Sequence, residues 1–285
     1  MNICIIGTVC IDSNVSENAS YTSAGSPAMF MNKIFMQFGD CNVSIIASYG
    51  PDFLQYLDGI NIFPAQPNTD KTLVYENVSK ASFRTQKSYN REGAFAVELD
   101  NSITDALRQA DIVFFAPQSP IYSKEYIQSV ILNLKTGALK VLIPQGFYRN
   151  FDSENNVLVR EFIEAKDILP LMDIVIVSEQ DSPTMLVQAK DWALNMNVIP
   201  VVTLGGKGAV ALRGNDEIQL PAIPVPENEI VDSVGSGDIF SASFAYKYKQ
   251  TENLEEAGKF ANAVARQCLF YKSADIKINL SKSNS

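Results

Sequence analysis

Histidine is absent from this chain of 285 residues. The absence excludes a Ser/His/Asp triad, and it removes the side chain that most often serves as a general base or a metal ligand. Any catalysis here must therefore depend on carboxylates, amides and cations.

Cysteine is scarce, and the four cysteines, Cys4, Cys10, Cys41 and Cys268, form no CxxC pair. Cys4 and Cys10 lie in an apolar opening segment that is typical of a buried strand. No apolar run approaches the ~18 residues that a membrane helix needs, and the first residues lack the basic region of a secretion signal. We therefore expect a cytoplasmic protein that does not enter a membrane.

Basic residues are outnumbered, 23 to 32, which gives a net charge of −9. This charge opposes nonspecific attraction to nucleic acid or to anionic lipid. Because 46% of the residues are hydrophobic, the chain can bury a sizeable core. We predict a single domain over residues 1–285 that binds neither nucleic acid nor membrane.

Apolar runs alternate with segments of helical period along most of the chain. Runs typical of strands covered on both faces lie at 2–7, 43–47, 112–115, 141–143, 174–177 and 198–203. Stripes of helical period lie at 31–38, 103–110 and 127–134. Ser182 and Pro183 predict the N-cap and first turn of a further helix. The alternation predicts a doubly wound α/β fold, with a mostly parallel sheet flanked by helices.

Residues 72–77 and 82–86 break this alternation, because they are rich in Thr, Val, Tyr and Phe and flank a short turn at 78–81. They predict a hairpin outside the main sheet. Segments 13–24 and 67–95 would then form a small β lid that excludes water from a transfer reaction. An ordinary surface hairpin fits the pattern equally well. The polar tail 281–285 is predicted to be disordered.

The most informative segment carries two glycines, Gly235 and Gly237, just before Asp238 and an amphipathic helix. The glycines free consecutive backbone N–H groups at a helix N-terminus, where they favour a phosphate. Asp238 would place a carboxylate beside that phosphate, in position to accept a proton from an attacking hydroxyl. A glycine turn that merely starts a helix fits the bare spacing as well. The spacing matches neither a GxGxxG dinucleotide site nor a P-loop.

The run Asp232-Ser-Val-Gly-Ser-Gly-Asp238 resembles the signature D-T-x-G-A-G-D of the ribokinase-like (PfkB) carbohydrate kinases. The resemblance implies an ATP-dependent kinase in which Asp238 is the catalytic base. It also implies an anion hole formed by Gly235, Ser236 and Gly237, and it places Asp232 where some members bind a monovalent cation such as K⁺.

Other segments resemble the family in the same order, over nearly the whole chain. The first strand with Asp12, and the run Ala24-Gly-Ser-Pro-Ala28 with Gly25 and Ser26, resemble acceptor-binding motifs, of which the second is the diglycine motif. A capping role in a turn is the alternative for Asp12.

The nucleotide side of the family is matched by two further segments. The run Val202-Thr-Leu-Gly-Gly-Lys-Gly-Ala209 resembles the segment that borders the nucleotide, which implies roles for Thr203, Gly205 and Gly208. A plain strand–turn–strand is its alternative. Asn262 resembles the helical asparagine that contacts the adenosine portion, although an asparagine there could equally face solvent.

Three segments depart from the family pattern. The run Ser178-Glu-Gln-Asp181 occupies the position of the family's N-x-x-E motif, and it keeps the acid but loses the amide. Asp181 could bind Mg²⁺ through a metal-bound water. The alternative is that Asp181 merely begins a helix. Arg149 is retained as an acceptor contact in a run that has lost the first acid of D-x-N-x-R. Met29 stands where many sugar kinases have an asparagine, and together with Phe147 and Tyr148 it predicts a more apolar acceptor pocket.

The sequence as a whole predicts transfer of the ATP γ-phosphate to a hydroxyl of a small sugar-like, nucleoside or cyclic polyol acceptor, with Mg²⁺. The resemblance also implies a homodimer formed through the lid. A noncatalytic ligand-binding or partner-binding protein on the same fold is the alternative, motivated by the departures. A kinase of an aromatic vitamin precursor is a third interpretation, but such enzymes commonly use a nearby cysteine, and none is close to Asp238 in the sequence.

Overall fold

The computed structural model of the chain describes residues 1–16, 20–80, 83–272 and 276–280. Its strands are β1 (Asn2–Gly7), β2 (Cys10–Ser16), β3 (Ser20–Gly25), β4 (Asn42–Ile46), β5 (Ile62–Phe63), β6 (Leu73–Lys80), β7 (Phe83–Tyr89), β8 (Ile112–Ala116), β9 (Leu139–Leu142), β10 (Arg149–Phe151), β11 (Val157–Val159), β12 (Ile174–Ser178), β13 (Ile199–Thr203), β14 (Gly208–Arg213) and β15 (Asp216–Pro221). Its helices are α1 (Pro27–Phe38), α2 (Asn101–Gln109), α3 (Lys124–Ile131), α4 (Ala165–Ile168), α5 (Met185–Asn195), α6 (Ser236–Thr251) and α7 (Leu254–Cys268).

The main sheet has nine strands in the order β15-β14-β13-β12-β9-β8-β1-β4-β5. All neighbours are parallel except β13 with β14 and β14 with β15, which form an antiparallel edge. The predicted class, a mostly parallel α/β sheet, is confirmed.

Successive side chains of the buried strands point to opposite faces of the main sheet, and they pack into two hydrophobic cores, one on each face. In β1, Ile3 and Ile5 pack with residues of α1, α6 and α7, whereas Cys4 and Ile6 pack with residues of α2 to α5. Because both faces are covered by helices, the strands are apolar throughout, which is why they stand out in the sequence. The six apolar runs coincide with β1, β4, β8, β9, β12 and β13 to within two residues at each end.

A separate four-stranded sheet has the order β3-β2-β6-β7. Strands β2 and β6 are parallel, and the two outer pairs are antiparallel. The predicted hairpin is present, but its first strand continues to Lys80, because Val78 pairs with Thr85 and extends the ladder. The predicted turn at 78–81 is therefore wrong for 78–80, and residues 81–82 and 281–285 lie outside the described residues.

Helix α5 begins later than the sequence predicts. Its N-cap is Thr184, and the helix starts at Met185, not at Pro183. The Ser182 hydroxyl accepts hydrogen bonds from the Thr184 amide at 3.3 Å and from the Gln188 side chain at 2.9 Å. The serine thus supports the first turn from outside the helix.

Two smaller features complete the fold. Strands β10 and β11 form a two-stranded ribbon that is bridged to the small sheet through Lys87 and Asn156. Within the part of the chain that is described, no helix is both long and apolar enough to cross a membrane.

Candidate active site

The carboxyl ends of β1, β8, β9, β12 and β13 lie side by side on one edge of the main sheet. The strand order reverses at β1, because the chain passes from β1 to β4 on one side and later to β8 on the other. Ligands of open α/β sheets bind in the crevice at such a point. Gln118 follows β8, Arg149 follows β9 after a short 3-10 turn, and Asp181 follows β12.

The N-terminus of α6 supplies open backbone donors. Gly235 is the N-cap residue with φ 78°, and no side chain caps the helix. The Ser236 amide donates to the Ser233 carbonyl at 3.2 Å, so this amide is already engaged. The amides of Gly237 and Asp238 have no acceptor among the described residues. The two open N–H groups and the positive end of the helix favour an anion at this position.

Helix α1 explains why residue 235 must be glycine. Its Phe30 ring lies so close to Gly235 that an added Cβ would come within 2.5 Å of a ring carbon. The positive φ also disfavours any other residue. By contrast, an added Cβ on Gly237 would meet no atom within 4 Å. The two glycines therefore differ, since one is required by packing and the other faces open space.

Asp238 lies in the first turn of α6 and is half-buried. Burial raises the pKa of its carboxyl from 3.8 to about 7; the positive charge of Arg149 lowers this pKa, and the negative charge of Asp12 raises it further. A carboxyl that titrates near neutral pH is matched to general-base catalysis. A structural helix start has no need of such a group.

Asp12 lies in β2, within the small sheet, where it directly faces the backbone of Gly25. The Cys10 thiol donates to Asp12 Oδ1 at 3.6 Å. Burial is the largest cause of the raised pKa of the Cys10 thiol, and the Asp12 charge raises this pKa further. The charge of Asp238 also raises it, whereas the charge of Arg149 lowers it. The fold therefore brings a cysteine to Asp238 that the sequence does not place near it.

Gly25 leads into Ser26, the N-cap of α1, whose hydroxyl accepts from the Met29 amide at 3.4 Å. Ser26 has φ 102° and ψ 154°, a conformation in which glycine is strongly favoured. The residue with a positive φ in the predicted diglycine segment is therefore Ser26, not a glycine.

Arg149 is the cation at the centre of these carboxylates. Its Nη1 donates to the Gln118 carbonyl at 3.1 Å, and its Cζ lies 4.6 Å from the centre of the Tyr75 ring. Its charge also lowers the pKa of Asp181, although burial is the larger influence and raises the pKa of that carboxyl above its ordinary value.

Asp181 does not begin a helix, because α5 starts four residues later. Its Oδ2 accepts from the Ser178 amide at 2.8 Å, and Oδ1 has no partner in the described part of the chain. Asp232 closes its own turn, with Oδ1 accepting from the Val234 amide at 2.9 Å. Over the described ranges, no three Cys, Asp or Glu side chains come together as a metal-binding group.

The predicted nucleotide-side residues follow β13 and lie on α7. The Thr203 hydroxyl donates to the Val177 carbonyl at 3.2 Å, and Gly205, with φ 58°, faces open space. Gly208 is held against the backbone of β15, where a side chain would clash with the Leu220 carbonyl.

Asn262 is engaged within the fold on the same side of the molecule. Its Nδ2 donates to the carbonyls of Leu220 at 2.9 Å and Pro221 at 3.3 Å. Asn262 and Gly208 both meet the end of β15, so the fold already gives each of them a packing role.

The predicted apolar pocket residues separate in the fold. Phe147 is buried in the core, with its ring stacked on Phe162 at 4.8 Å. Tyr148 is also buried, and its hydroxyl has no hydrogen-bond partner in the described structure. Met29 alone is partly exposed, and its neighbour Phe30 reaches the α6 N-terminus.

Comparison with known proteins adds to this geometry. A family model described as pfkB family carbohydrate kinase matches residues 48–279, which is more than half of the chain. The chain belongs to the pfkB family of carbohydrate kinases. This membership favours an enzyme over a noncatalytic protein. The matched region contains the α6 N-terminus but begins after Asp12, Gly25 and Ser26.

Individual pfkB-related proteins resemble the chain over different lengths. It is 34% identical to an uncharacterized sugar kinase of Archaeoglobus fulgidus over 82 residues, which are 28% of this chain and about a third, 32%, of that protein. It is 22% identical to the cytidine kinase of Thermococcus kodakarensis over 292 aligned residues, 94% of this chain and 96% of that one.

A solved pyrophosphate-dependent kinase of the ribokinase family, complexed with a pyrophosphate analog and myo-inositol, has a TM-score of 0.73 with this chain. The two are 16% identical, and the match covers 92% of this chain and 93% of the other. The likeness shows that this pfkB kinase has the ribokinase-like fold.

Four residues that contact the candidate site are not predicted from the sequence, namely Cys10, Phe30, Tyr75 and Gln118. Cys10, Phe30 and Tyr75 lie in ordinary strand or helix patterns, and Gln118 lies in the loop after β8. All four are apolar or neutral, so their local sequence gives little signal. Only Cys10 offered a hint, because it stands two positions before Asp12 in a strand, where alternate side chains share a face.

Proposed function

We propose that this pfkB kinase transfers the γ-phosphate of ATP to a hydroxyl of a small acceptor, with Asp238 as the base. The observation that carries the proposal is the Asp238 carboxyl, with its pKa of about 7, in the helix turn that offers the open amides of Gly237 and Asp238. Phosphoryl transfer needs positioning and charge stabilisation more than covalent help from the protein, and this turn offers both.

In the proposed step, the acceptor hydroxyl gives its proton to the Asp238 carboxylate as its oxygen bonds to the γ-phosphorus. The bond from the γ-phosphorus to the bridging oxygen of ADP breaks, and the leaving oxygen keeps the electron pair. The open amides of Gly237 and Asp238 donate to the phosphoryl oxygens, where negative charge is spread in the transition state.

The acceptor would lie between the main sheet and the small sheet, beside Asp12, Gly25, Ser26 and Arg149. Asp12 would accept hydrogen bonds from its hydroxyls. The partly exposed Met29 and Phe30 would contact a less polar portion. A nucleoside or a cyclic polyol fits this mixture of surfaces. The cytidine kinase relative and the neighbour solved with myo-inositol support these two classes.

The donor would lie along Thr203, Gly205, Gly208 and Asn262, toward the α6 N-terminus. Gly205 and Gly237 both face open space, so a phosphate chain could approach their backbone closely. We propose ATP as the donor, following the family motifs. Pyrophosphate is the alternative, because the structural neighbour is a pyrophosphate-dependent kinase.

Magnesium fits the residues present at one point, Asp181. Mg²⁺ usually keeps several waters and uses one or two carboxylates together with substrate phosphates. The open Oδ1 of Asp181 could therefore hold a metal-bound water. Bound there, Mg²⁺ would neutralise charge on the donor phosphates. We propose that a monovalent cation such as K⁺, if one is used, would bind near Asp232.

We also propose that the small sheet acts as a lid and as the surface of a homodimer. The outer strand β3 forms an edge of that sheet, and its first residues are exposed. Such an edge can pair with a second chain. A reducing cytoplasm remains the proposed compartment, since all four cysteines are free thiols.

The proposal is tested by measuring product formation over sugars, nucleosides and cyclic polyols, with Mg²⁺ and either ATP or pyrophosphate. We expect one nucleoside or polyol to be phosphorylated. Asp238→Asn should keep the fold and lower kcat by orders of magnitude, because the base is removed. Near-normal turnover in this variant, with an unchanged circular dichroism spectrum, would contradict the assignment, and preference for plain hexoses would contradict the acceptor class.

A further inference from the structure

The Arg149 guanidinium is fixed by two contacts that are independent of any ligand. One face stacks on the Tyr75 ring, with 4.6 Å between Cζ and the ring centre, and Nη1 donates to the Gln118 carbonyl at 3.1 Å. The same carbonyl accepts from the Tyr75 hydroxyl at 2.6 Å, and Tyr75 is 1% exposed. Arg149, Tyr75 and Gln118 thus form a clamp between the small sheet and the main sheet.

The clamp places the positive charge next to the acceptor-side carboxylate. Asp12 and Tyr75 are register partners in the parallel pair of β2 and β6. Side chains of directly paired residues stand about 5 Å apart on the same face of a sheet. An arginine stacked on Tyr75 is therefore close to Asp12, and its charge also reaches Asp238.

We propose that Arg149 is a positioning residue, held by Tyr75 and Gln118, whose charge keeps Asp238 in the carboxylate form that accepts the acceptor proton. This role rests on the proposed phosphoryl transfer and goes beyond acceptor contact. Removing a side chain that only binds the acceptor is expected to change KM. Removing a side chain that sets the charge of the base is expected to change the pH dependence of catalysis.

The groups that face Asp238 define the sign of the effect. Strand β2 contributes Asp12 and the Cys10 thiol, and the chain after β9 contributes Arg149, the only cation in this set. From α1, Phe30 packs on Gly235 in the turn before Asp238, and it is uncharged. Removing the charge of Arg149 leaves burial and Asp12 unopposed, so Asp238 would be protonated up to a higher pH.

The test compares Arg149→Met and Arg149→Lys with the wild type over pH 6 to 9. Because kcat/KM reports the free enzyme's base, Arg149→Met should lose about tenfold more kcat/KM at pH 6 than at pH 9. Arg149→Lys should recover much of the difference. A loss that is equal at every pH, confined to the acceptor KM, would overturn the proposal and leave Arg149 as an acceptor contact.

Arg91→Met is the matched control. Arg91 is also stacked on an aromatic ring, Phe151, at 4.7 Å, and donates to Asn155 at 3.3 Å. Arg91 is not among the charges that shift the pKa of Asp238, so we expect its removal to leave the pH profile unchanged. A profile that moves as far in Arg91→Met as in Arg149→Met would overturn the proposal, because the effect would then be general.

A direct titration separates this proposal from the proposed function. Carbon-13 NMR of the carboxyl groups, with the Asp238 signal assigned by its loss in Asp238→Asn, needs no turnover. We expect the Asp238 midpoint to move to higher pH in Arg149→Met and to stay in Arg91→Met. An unchanged midpoint in Arg149→Met overturns the role of Arg149. If no acceptor is phosphorylated, the proposed function fails while the titration still decides this role.

Discussion

At the scale of single residues, the chemistry of the site depends on two charges that act on Asp238 in opposite directions. Burial raises the pKa of Asp238 to about 7, Arg149 lowers it, and Asp12 raises it. The same Asp12 would bind the acceptor hydroxyls. An acceptor that hydrogen-bonds to Asp12 would thus bind next to a charge that acts on the pKa of Asp238. Binding of the acceptor would then be coupled to the protonation of the proposed base.

Asp12→Asn should therefore shift the titration of Asp238 in the direction opposite to Arg149→Met. Removing the negative charge lowers the pKa of Asp238, so the carboxylate would form at lower pH. Carbon-13 NMR titration of the Asp238 carboxyl measures the shift. The acceptor KM should rise at the same time, because a hydrogen-bond acceptor is weakened. A midpoint that moves to higher pH in Asp12→Asn would be incompatible with this arrangement.

At the scale of elements, the contact between α1 and α6 positions the turn that we propose binds phosphate. The Phe30 ring from α1 packs on Gly235, just before the first turn of α6. Helix α1 itself begins at Pro27, and its N-cap Ser26 directly follows Gly25, which we assign to the acceptor side. The same helix thus connects the proposed acceptor segment to the proposed phosphate-binding turn, so both sides of the proposed reaction would share one support.

Gly235→Ala should destabilise the protein, whereas Gly237→Ala should not. At residue 235, the added methyl group meets Phe30 and the φ of 78° is unfavourable for alanine, which together cost about 2–4 kcal/mol. At residue 237, the methyl group enters open space in a helical turn, where alanine is well tolerated. Urea unfolding of both variants measures the difference.

A double variant separates the two causes. Phe30→Ala in the Gly235→Ala background should restore part of the loss, because the clash is removed while the backbone strain remains. If Gly235→Ala and Gly237→Ala are equally stable, the packing of α1 on α6 is not what requires glycine at residue 235.

At the scale of the whole molecule, the candidate site lies where two sheets meet, and each sheet contributes residues to which we assign a different part of the proposed reaction. The main sheet brings α6, Arg149 and Asp181 to its carboxyl edge, and the small sheet brings Asp12 and Tyr75. The Tyr75 hydroxyl bonded to the Gln118 carbonyl at 2.6 Å is one direct link between them. Motion of the small sheet would therefore act on Arg149 as well as on acceptor access.

The raised pKa of Asp238 also predicts how global stability depends on pH. An aspartate that titrates near pH 4 when unfolded and near pH 7 when folded binds more protons in the native state between these values. Its contribution therefore decreases as pH rises from about 4 to about 7. Asp238→Asn should thus be about 2–4 kcal/mol more stable than the wild type at pH 8, with a smaller gain at pH 5.

Urea unfolding at pH 5 and pH 8 tests this expectation. Asp152→Asn is the control of opposite sign, since hydrogen bonds from Asn156 help to lower the pKa of Asp152, and its charge is favourable at both pH values. That variant should gain no stability at pH 8. If Asp238→Asn is equally or less stable than the wild type at pH 8, the charged Asp238 carboxylate does not lower the free energy of unfolding, and the expectation is wrong.

The sequence by itself determined the features that depend on neighbours along the chain. Strands covered on both faces are apolar throughout, so β1, β8 and β12 could be located from composition alone. The turn at Gly235 to Asp238 was visible for the same reason, because glycine freedom, helix start and carboxylate are consecutive. Phe240 and Phe244 are four residues apart on one face of α6, a spacing that depends on the chain alone, whereas the stacking of their rings is an observation of the structure.

Only the tertiary structure decided which distant residues share the site. Cys10 and Arg149 interact electrostatically with Asp238, and Tyr75 holds Arg149, through strand pairing and packing between two sheets. No periodic pattern encodes such neighbours. Burial and the balance of nearby charges arise at the same level, so the pKa of Asp238 could not be obtained from its sequence neighbours. The sequence placed the proposed base, Asp238, in the first turn of a helix, and the fold set the surroundings that shift its pKa.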